Sequence, residues 1–499
     1  MRRIAFLLLA AIRAHARVGT GPSVGTGALA RASRAQLGRC PWSLQLWSRH
    51  RLQCAALITS MIVSTTATAA TRPRYGGTLR VTLQCAPNML ELPANSAPAD
   101  YWDAARVLSL VADNLVTADA QNRAHPALAV AWQSDTTGRH WQFTLLHGAK
   151  FHDGSAASAG AIAQILGALH SDWNVHSSGE SLAIDTEAST PSLLAELALP
   201  RNLILKRNAS GLPIGTGAFR VAEWQPGKLL KLAANEESWS GRPFLDAVEI
   251  ELGKSLREQA IALELGKTDA IEAAPQASGS IASPRIRTSL PVELMALVFP
   301  ANTKAQDARL RQALALSIDR KPIQSVLLKG AGEPAASALP NWMTGYSSVF
   351  STQANVQRAK VVLAGSRQPA LTLSYDPRDP QAQLIAERIA LNAREAGIIV
   401  QVSLSGADDL RLVRVVLPSA DPAASLREVA RQFGMPQPLL RGNAVEDLYQ
   451  AEHTLLDGYT VIPLFHLPVA SAASARVRGW APDRLGGWNL QDLWLEDSR

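Results

Sequence analysis

Regular alternation of apolar and polar positions begins after residue 75. Thr78-Leu-Arg-Val-Thr-Leu83 alternates and predicts a strand. His140-Trp-Gln-Phe-Thr-Leu145 predicts another, with Trp141, Phe143 and Leu145 on one face by the period of two. The Asp153-Gly154 pair that follows is a tight-turn signal. Val248-Glu-Ile-Glu-Leu252 alternates again. Ser255 then caps a helix, Glu258 completes a capping box, and Gly266 ends it. Asp269–Ala273 resumes a strand. Strand, helix and strand joined by short connections form a βαβ unit, which requires some parallel sheet.

The second half repeats the idea with longer helices. Asp307 opens one that runs to Asp319, and Pro322 lies in the first turn of another that ends by Gly330. Asp379-Pro380 opens a third, which reaches Ala396. Its stripe of Ile385, Ile389, Ala393 and Ala396 is a core-facing face. Gly397 stops it, and Ile398–Leu404 reads as a strand. The class is therefore α/β. At 499 residues the chain is too long for one core, and two or three folding units are expected. Trp132, Trp141, Trp224 and Trp239 occupy strand-like positions and belong to those cores.

Charge first suggests an anionic partner, since 49 lysines and arginines face 42 acids. Nine of those arginines, however, lie in residues 1–70, which contain no acid. The remaining chain carries 40 basic against 42 acidic side chains, so it makes no electrostatic case for nucleic acid. Residues 1–70 read as a leader. Cys54–Val63 is an apolar run after Arg49 and Arg51, and Thr65–Ala70 supplies an A-x-A site, so export with cleavage near Ala69 or Ala70 is expected. Neither this run nor Ile4–Ile12 reaches the roughly 20 residues of a spanning helix. Beyond the leader Cys85 is the one cysteine, which excludes a disulfide framework or a thiolate metal site there.

Catalytic and cofactor signals are weak. Gly253-Lys254-Ser255 resembles the end of a phosphate loop, but position 248 is Val where that loop needs Gly. Gly215-Thr-Gly217 lacks a third glycine and precedes a strand, so it reads as a turn. His147, His152, His170 and His176 show no metal-ligand spacing. Beyond the leader no Gly-x-Ser-x-Gly or His-Glu-x-x-His occurs. No catalytic residue, metal ligand or cofactor is therefore assigned.

A series of short motifs changes the picture. Gly76-Gly-Thr-Leu-Arg-Val81, Asn114–Asp119, Pro126–Trp132, Lys150-Phe-His-Asp-Gly154, Gly215–Arg220, Trp224-Gln-Pro-Gly227, Asn235–Pro243, Leu263–Asp269 and Arg311–Arg320 follow one another in order. In that order the chain resembles family 5 of the extracellular solute-binding proteins, the peptide- and nickel-type receptors of ATP-binding-cassette importers. Beyond residue 331 only the architecture and a few residues, such as Ala396-Gly397, agree. There are also departures: Ala218-Phe219 replaces the usual Pro-Tyr, Ser238 replaces a Tyr, and two crevice segments are shortened.

The resemblance implies a two-lobed, type II-like periplasmic-binding fold with an additional small subdomain. Lobe I would combine 75–117, 200–285 and 464–499, the subdomain 118–199, and lobe II 286–463. It implies a non-enzymatic receptor, monomeric and periplasmic, that closes on a small peptide and delivers it to a membrane permease. The alternatives are a degenerate sensor or scaffold, a receptor for a nickel complex or an oligosaccharide, and a periplasmic enzyme. Asp100, Tyr101 and Trp102 fall where the family's first inter-lobe segment meets ligand, and Asp421 falls near its ammonium-binding aspartate. Read from the residues alone, Asp100 equally suits a helix cap with two half-buried aromatics after it, whereas Asp421-Pro422 suits a turn-initiating Asp-Pro pair better than a ligand contact.

Overall fold

The computed structural model describes residues 72–92, 98–274, 286–365, 368–404, 408–438, 440 and 444–496. Residues 73–499 form one compact unit. The leader, its cleavage site, Cys40 and Cys54 lie outside the described residues.

Thr78–Thr82 runs parallel to Ala247–Glu251 on one side and to Ala270–Ala273 on the other. The expected βαβ unit is therefore present, with the first strand inserted between its two strands. Its helix, Leu256–Glu264, carries the capping box: Glu258 N donates to Ser255 Oγ at 3.3 Å, and Ser255 N donates to the Glu258 carboxylate at 2.8 Å. Phe219–Gln225 and Leu229–Ala234 extend the sheet antiparallel beyond Ala247–Glu251.

On the other side the sheet continues through Val461–Ala473, Ile286–Val298, Leu410–Val416, Leu371–Tyr375 and Val400–Ser403. With Glu333–Pro334 added beside Val461–Ala473, it has eleven strands among the described residues. Two of them, Ile286–Val298 and Val461–Ala473, are 13 residues long and hold its halves together. One end of Val461–Ala473 pairs with Ala270–Ala273, and the other pairs with the far end of Ile286–Val298. Simple alternation does not predict this pair, because Pro291, Pro463 and Pro468 argue against central strands. The register shifts around Pro291 show how it is tolerated, since a bulge does not need the missing donor.

Apolar side chains gather in separate clusters along this sheet. Leu79, Val81, Leu108, Phe219, Val248 and Ile250 form one. Leu297, Leu314, Leu373, Ile385, Ile389 and Phe465 form another. Along Ile286–Val298 the period of two splits its burial: Met295 and Leu297 join that second cluster, while Leu294 and Ala296 face Val415, Leu426 and Leu448. A third core, with Phe143, Ile162, Leu166 and Leu182, lies under a four-stranded antiparallel sheet built from 129–134, 140–145, 181–186 and 173–178. Trp141 is buried in this third core, and Trp132 and Trp239 pack half-buried against it; Trp224 packs against the first.

The long helix begins at Ala382, later than Asp379-Pro380, because Asp379 is used otherwise. Its Oδ1 accepts from Gln381 N and its Oδ2 lies 2.8 Å from Arg414 Nε. Ile385, Ile389, Ala393 and Ala396 are all buried as expected. Gly215-Thr-Gly217 is a turn before a strand. A Cβ on Gly215 would lie 2.2 Å from the Val111 carbonyl oxygen, so the close approach of Pro98–Val111 demands glycine there.

Candidate binding cavity

A cavity of about 750 Å³ opens between the first and second clusters, alongside the two long strands. One wall comes from Gln84, Cys85, Trp102, Asp103, Arg106 and Glu272. The other comes from Glu293, 374–382 and 411–414, and Pro468–Ala470 closes the back. Five carboxylates (Asp103, Glu272, Glu293, Asp376, Asp379) and five cations (Arg106, Lys329, Arg378, Arg411, Arg414) line it, so the lining is balanced in charge.

Each wall carries its own ion network. Arg106 pairs with Asp103 and, at 2.7 Å, with Glu272, while its guanidinium stacks 4.7 Å over the Trp488 ring. Burial acts to lower the Arg106 pKa, but the two carboxylates outweigh it and hold it above the ordinary value. Asp103 is pushed up to about 6 by burial, against the pull of Arg106. The Cys85 thiol is pushed up by burial and by the nearby Asp103, so it is not an activated nucleophile. Gln84 N and Gln259 Nε2 donate to the second oxygen of Glu272. Across the cavity Arg414 bridges Glu293 at 3.0 Å and Asp379 at 2.8 Å. Burial raises the Glu293 carboxyl, and Arg414 opposes the rise.

Arg378 ties the walls together. It chelates Asp376 on its own loop, and its Nη1 donates to Asp100 of the opposite wall at 2.6 Å. Its carbonyl accepts from the Gln84 side chain, also of the opposite wall. The two sides are thus in contact around the cavity.

The four residues singled out from the sequence divide. Trp102 lines the cavity and packs beside Val292, Val416 and Leu485. Asp100 lies in the first turn of Pro98–Val111 and meets the cavity through Arg378. Tyr101 is buried beneath the Arg431 guanidinium, 4.9 Å from its ring. Asp421 lies outside the lining: it caps Pro422–Gln432 by accepting from Ala424 N at 2.7 Å, and it accepts from Asn122 at 2.9 Å. Sequence reasoning missed Arg106, Glu272, Glu293, Arg378 and Arg414. Of these only Arg378 carried a local signal, the charged turn Asp376-Pro-Arg-Asp-Pro380.

A second cavity, of about 810 Å³, lies among Leu92, Leu108, Phe151, Ile165, Leu203 and Leu205. Although larger, it is the weaker candidate. Its Lys206 is already engaged by Asp153 at 2.7 Å, and it lies between the first and third cores rather than between the first and second.

The fold is that of the type II periplasmic binding proteins. The crystal structure of NikA from Staphylococcus aureus with Ni(L-His)2 matches with a TM-score of 0.72 at 18% identity, over 84% of this chain and 100% of that one. The dipeptide binding protein from Pseudoalteromonas sp. SM9913 in complex with Met-Leu matches at 0.73 and 15% identity, over 84% and 100%. In sequence, residues 123–411 match the bacterial extracellular solute-binding proteins, family 5, and the chain belongs to that family. The nickel-binding protein NikA of S. aureus (strain NCTC 8325 / PS 47) is 24% identical over 251 residues, 48% of this chain. That alignment spans 50% of NikA, about half its length.

Proposed function

We propose that this protein is the extracytoplasmic receptor of an ATP-binding-cassette importer and that its solute is a short peptide. The carrying observation is the cavity between two cores, where five carboxylates are matched by five cations, four guanidiniums and the Lys329 ammonium. A zwitterion presents one ammonium and one carboxylate, and a charge-balanced lining suits it better than a net ion. Charged hydrogen bonds of this kind contribute about 1.5–3 kcal/mol each. A volume of this order falls within the roughly 300–1,000 Å³ of small-ligand sites.

In this reading lobe I is built on the first cluster, lobe II on the second, and the small subdomain on the third, with the long strands as hinge. The boundaries 75–117, 200–285 and 464–499, 118–199, and 286–463 describe that division. Trp102 is a direct contact, Asp100 orients Arg378 toward the solute carboxylate, and Tyr101 and Asp421 act on closure. Solute touches both walls only when they are shut, which shifts the open–closed equilibrium without any bond being made. The leader directs export, with cleavage near Ala69 or Ala70, and the monomer hands its solute to a membrane permease.

Titration calorimetry of the chain against di- to pentapeptides, Ni(L-His)2 and an oligosaccharide tests the assignment. Heat with short peptides is expected. Heat with the nickel complex or the sugar alone would replace the peptide assignment.

A further inference from the structure

Most of the charges that line the solute cavity are spent on the chain itself. Arg106 holds Asp103 and Glu272, Arg414 holds Glu293 and Asp379, and Arg378 holds Asp376. Arg411 donates to Asp408 from Nε and, at 3.1 Å, from Nη2. Lys329 is the exception. It lines the cavity and is exposed, and among the described residues its ammonium has no ion pair or hydrogen bond. Its backbone, by contrast, is held. The π-helical turn Ile323–Leu327 ends in bonds from Leu328 N to the Ile323 carbonyl at 3.0 Å and from Gly330 N to the Gln324 carbonyl at 2.8 Å. Leu328 is fully buried, and a Cβ on Gly332 would lie 2.5 Å from the His466 carbonyl oxygen. Gln381 Nε2 donates to the Leu327 carbonyl at 3.0 Å, which ties this turn to the loop that carries Arg378. Lys329 itself has a φ of 50°, a left-handed conformation disfavoured for a long side chain. Strain of this kind gathers at ligand sites.

We propose that Lys329 is a specificity-determining residue of the cavity, the cation that takes the solute's carboxylate. The inference rests on the solute-receptor reading and names the group that reads one end of the solute. Each arginine of the lining must loosen a carboxylate before it serves solute fully, and unpairing a charge in a partly buried network is costly. An unpaired ammonium on a fixed backbone forms its charged hydrogen bond without that loss. A lysine is also a compact charge with three rotatable donors, so it can meet a carboxylate from several directions. Arg378, on the loop tied to this turn, then adds its remaining donors to the same carboxylate.

Titration calorimetry on the full chain tests this with the tightest binder of the di- to pentapeptide series and its C-terminal amide. The parent should prefer the free acid. Lys329→Met should weaken the free acid roughly tenfold and leave the amide unchanged, so the preference collapses. Lys329→Arg should keep most of it. Lys360→Met removes a lysine of helix Val356–Leu363, outside the lining, and should change neither affinity. Lys329→Gly relieves the left-handed backbone: its urea midpoint should be no lower than the parent's, while it binds the free acid as weakly as Lys329→Met. A parent that binds acid and amide alike, or a Lys329→Met that binds the acid as tightly as the parent or loses both equally, would overturn the assignment while the receptor reading stands. If no peptide binds the parent, the peptide reading falls and the role of Lys329 falls with it.

Discussion

Replacing Arg414 with methionine puts the cavity's electrostatics to a quantitative test. The guanidinium bridges Glu293 and Asp379, which are mostly buried with it. Methionine keeps much of the apolar volume but leaves two carboxylates facing one another with no counter-charge. Breaking a buried pair costs about 3–5 kcal/mol, and the residual exposure of all three groups places the expected loss near the lower end, about 3 kcal/mol. The pH dependence follows from Glu293, whose carboxyl is already raised by burial against the pull of Arg414. Without Arg414 it rises further. Above its ordinary value of 4.5 the folded chain then holds a proton the unfolded chain has released, so stability falls as pH rises. The deficit of Arg414→Met should therefore be full at neutral pH and shrink as pH falls toward 4.5, as the Glu293 carboxyl takes up its proton. Urea unfolding at both pH values measures it, and adding Glu293→Gln should recover part of the neutral-pH loss. A deficit under about 1 kcal/mol at neutral pH, or an equal deficit at both pH values, would refute the reasoning.

Asp113 accepts from Thr216 Oγ1 at 2.7 Å and Trp239 Nε1 at 2.8 Å. Trp239→Phe and Thr216→Val should each cost about 1.5–3 kcal/mol in unfolding free energy, and the pair should deviate from additivity because they share an acceptor. Glu452 is pushed up to about 6 by burial, although the Tyr346 hydroxyl and the Leu339 and Ala338 amides favour its charged form. It should lose about 2 kcal/mol of stability as pH rises from 4.5 through 6, a slope that Glu452→Gln abolishes in pH-dependent urea unfolding. His466, pushed down to about 4 by burial, acts oppositely. Its contribution is present above 6.5 and falls by about 3 kcal/mol as pH drops toward 4, and His466→Asn should remove that acid-side loss.

Local rules were enough where one segment sees one environment. The Thr78–Thr82 and His140–Leu145 strands, the Ser255 capping box and the Ile385–Ala396 stripe all follow from period and capping chemistry. The family motifs between Gly76 and Arg320 carried the class of protein as well. What local rules could not reach was long-range. The two long strands contain prolines that mimic breakers, and they are central strands because bulges absorb the missing donors. Arg106 pairs with Glu272, and Glu293 with Arg414, across distant segments, and no local pattern announces either pairing. Asp421 shows the opposite problem, because an Asp-Pro pair looks alike as a helix cap or as a ligand contact. Its carboxylate here caps Pro422–Gln432.

The most direct measurement is native mass spectrometry of the protein purified from its own cells, followed by denaturation and analysis of whatever is released. The account predicts one small zwitterionic molecule per chain, held without a covalent bond and recovered chemically intact. Release of a cleaved or otherwise transformed product, or a covalent adduct on the chain, would contradict it.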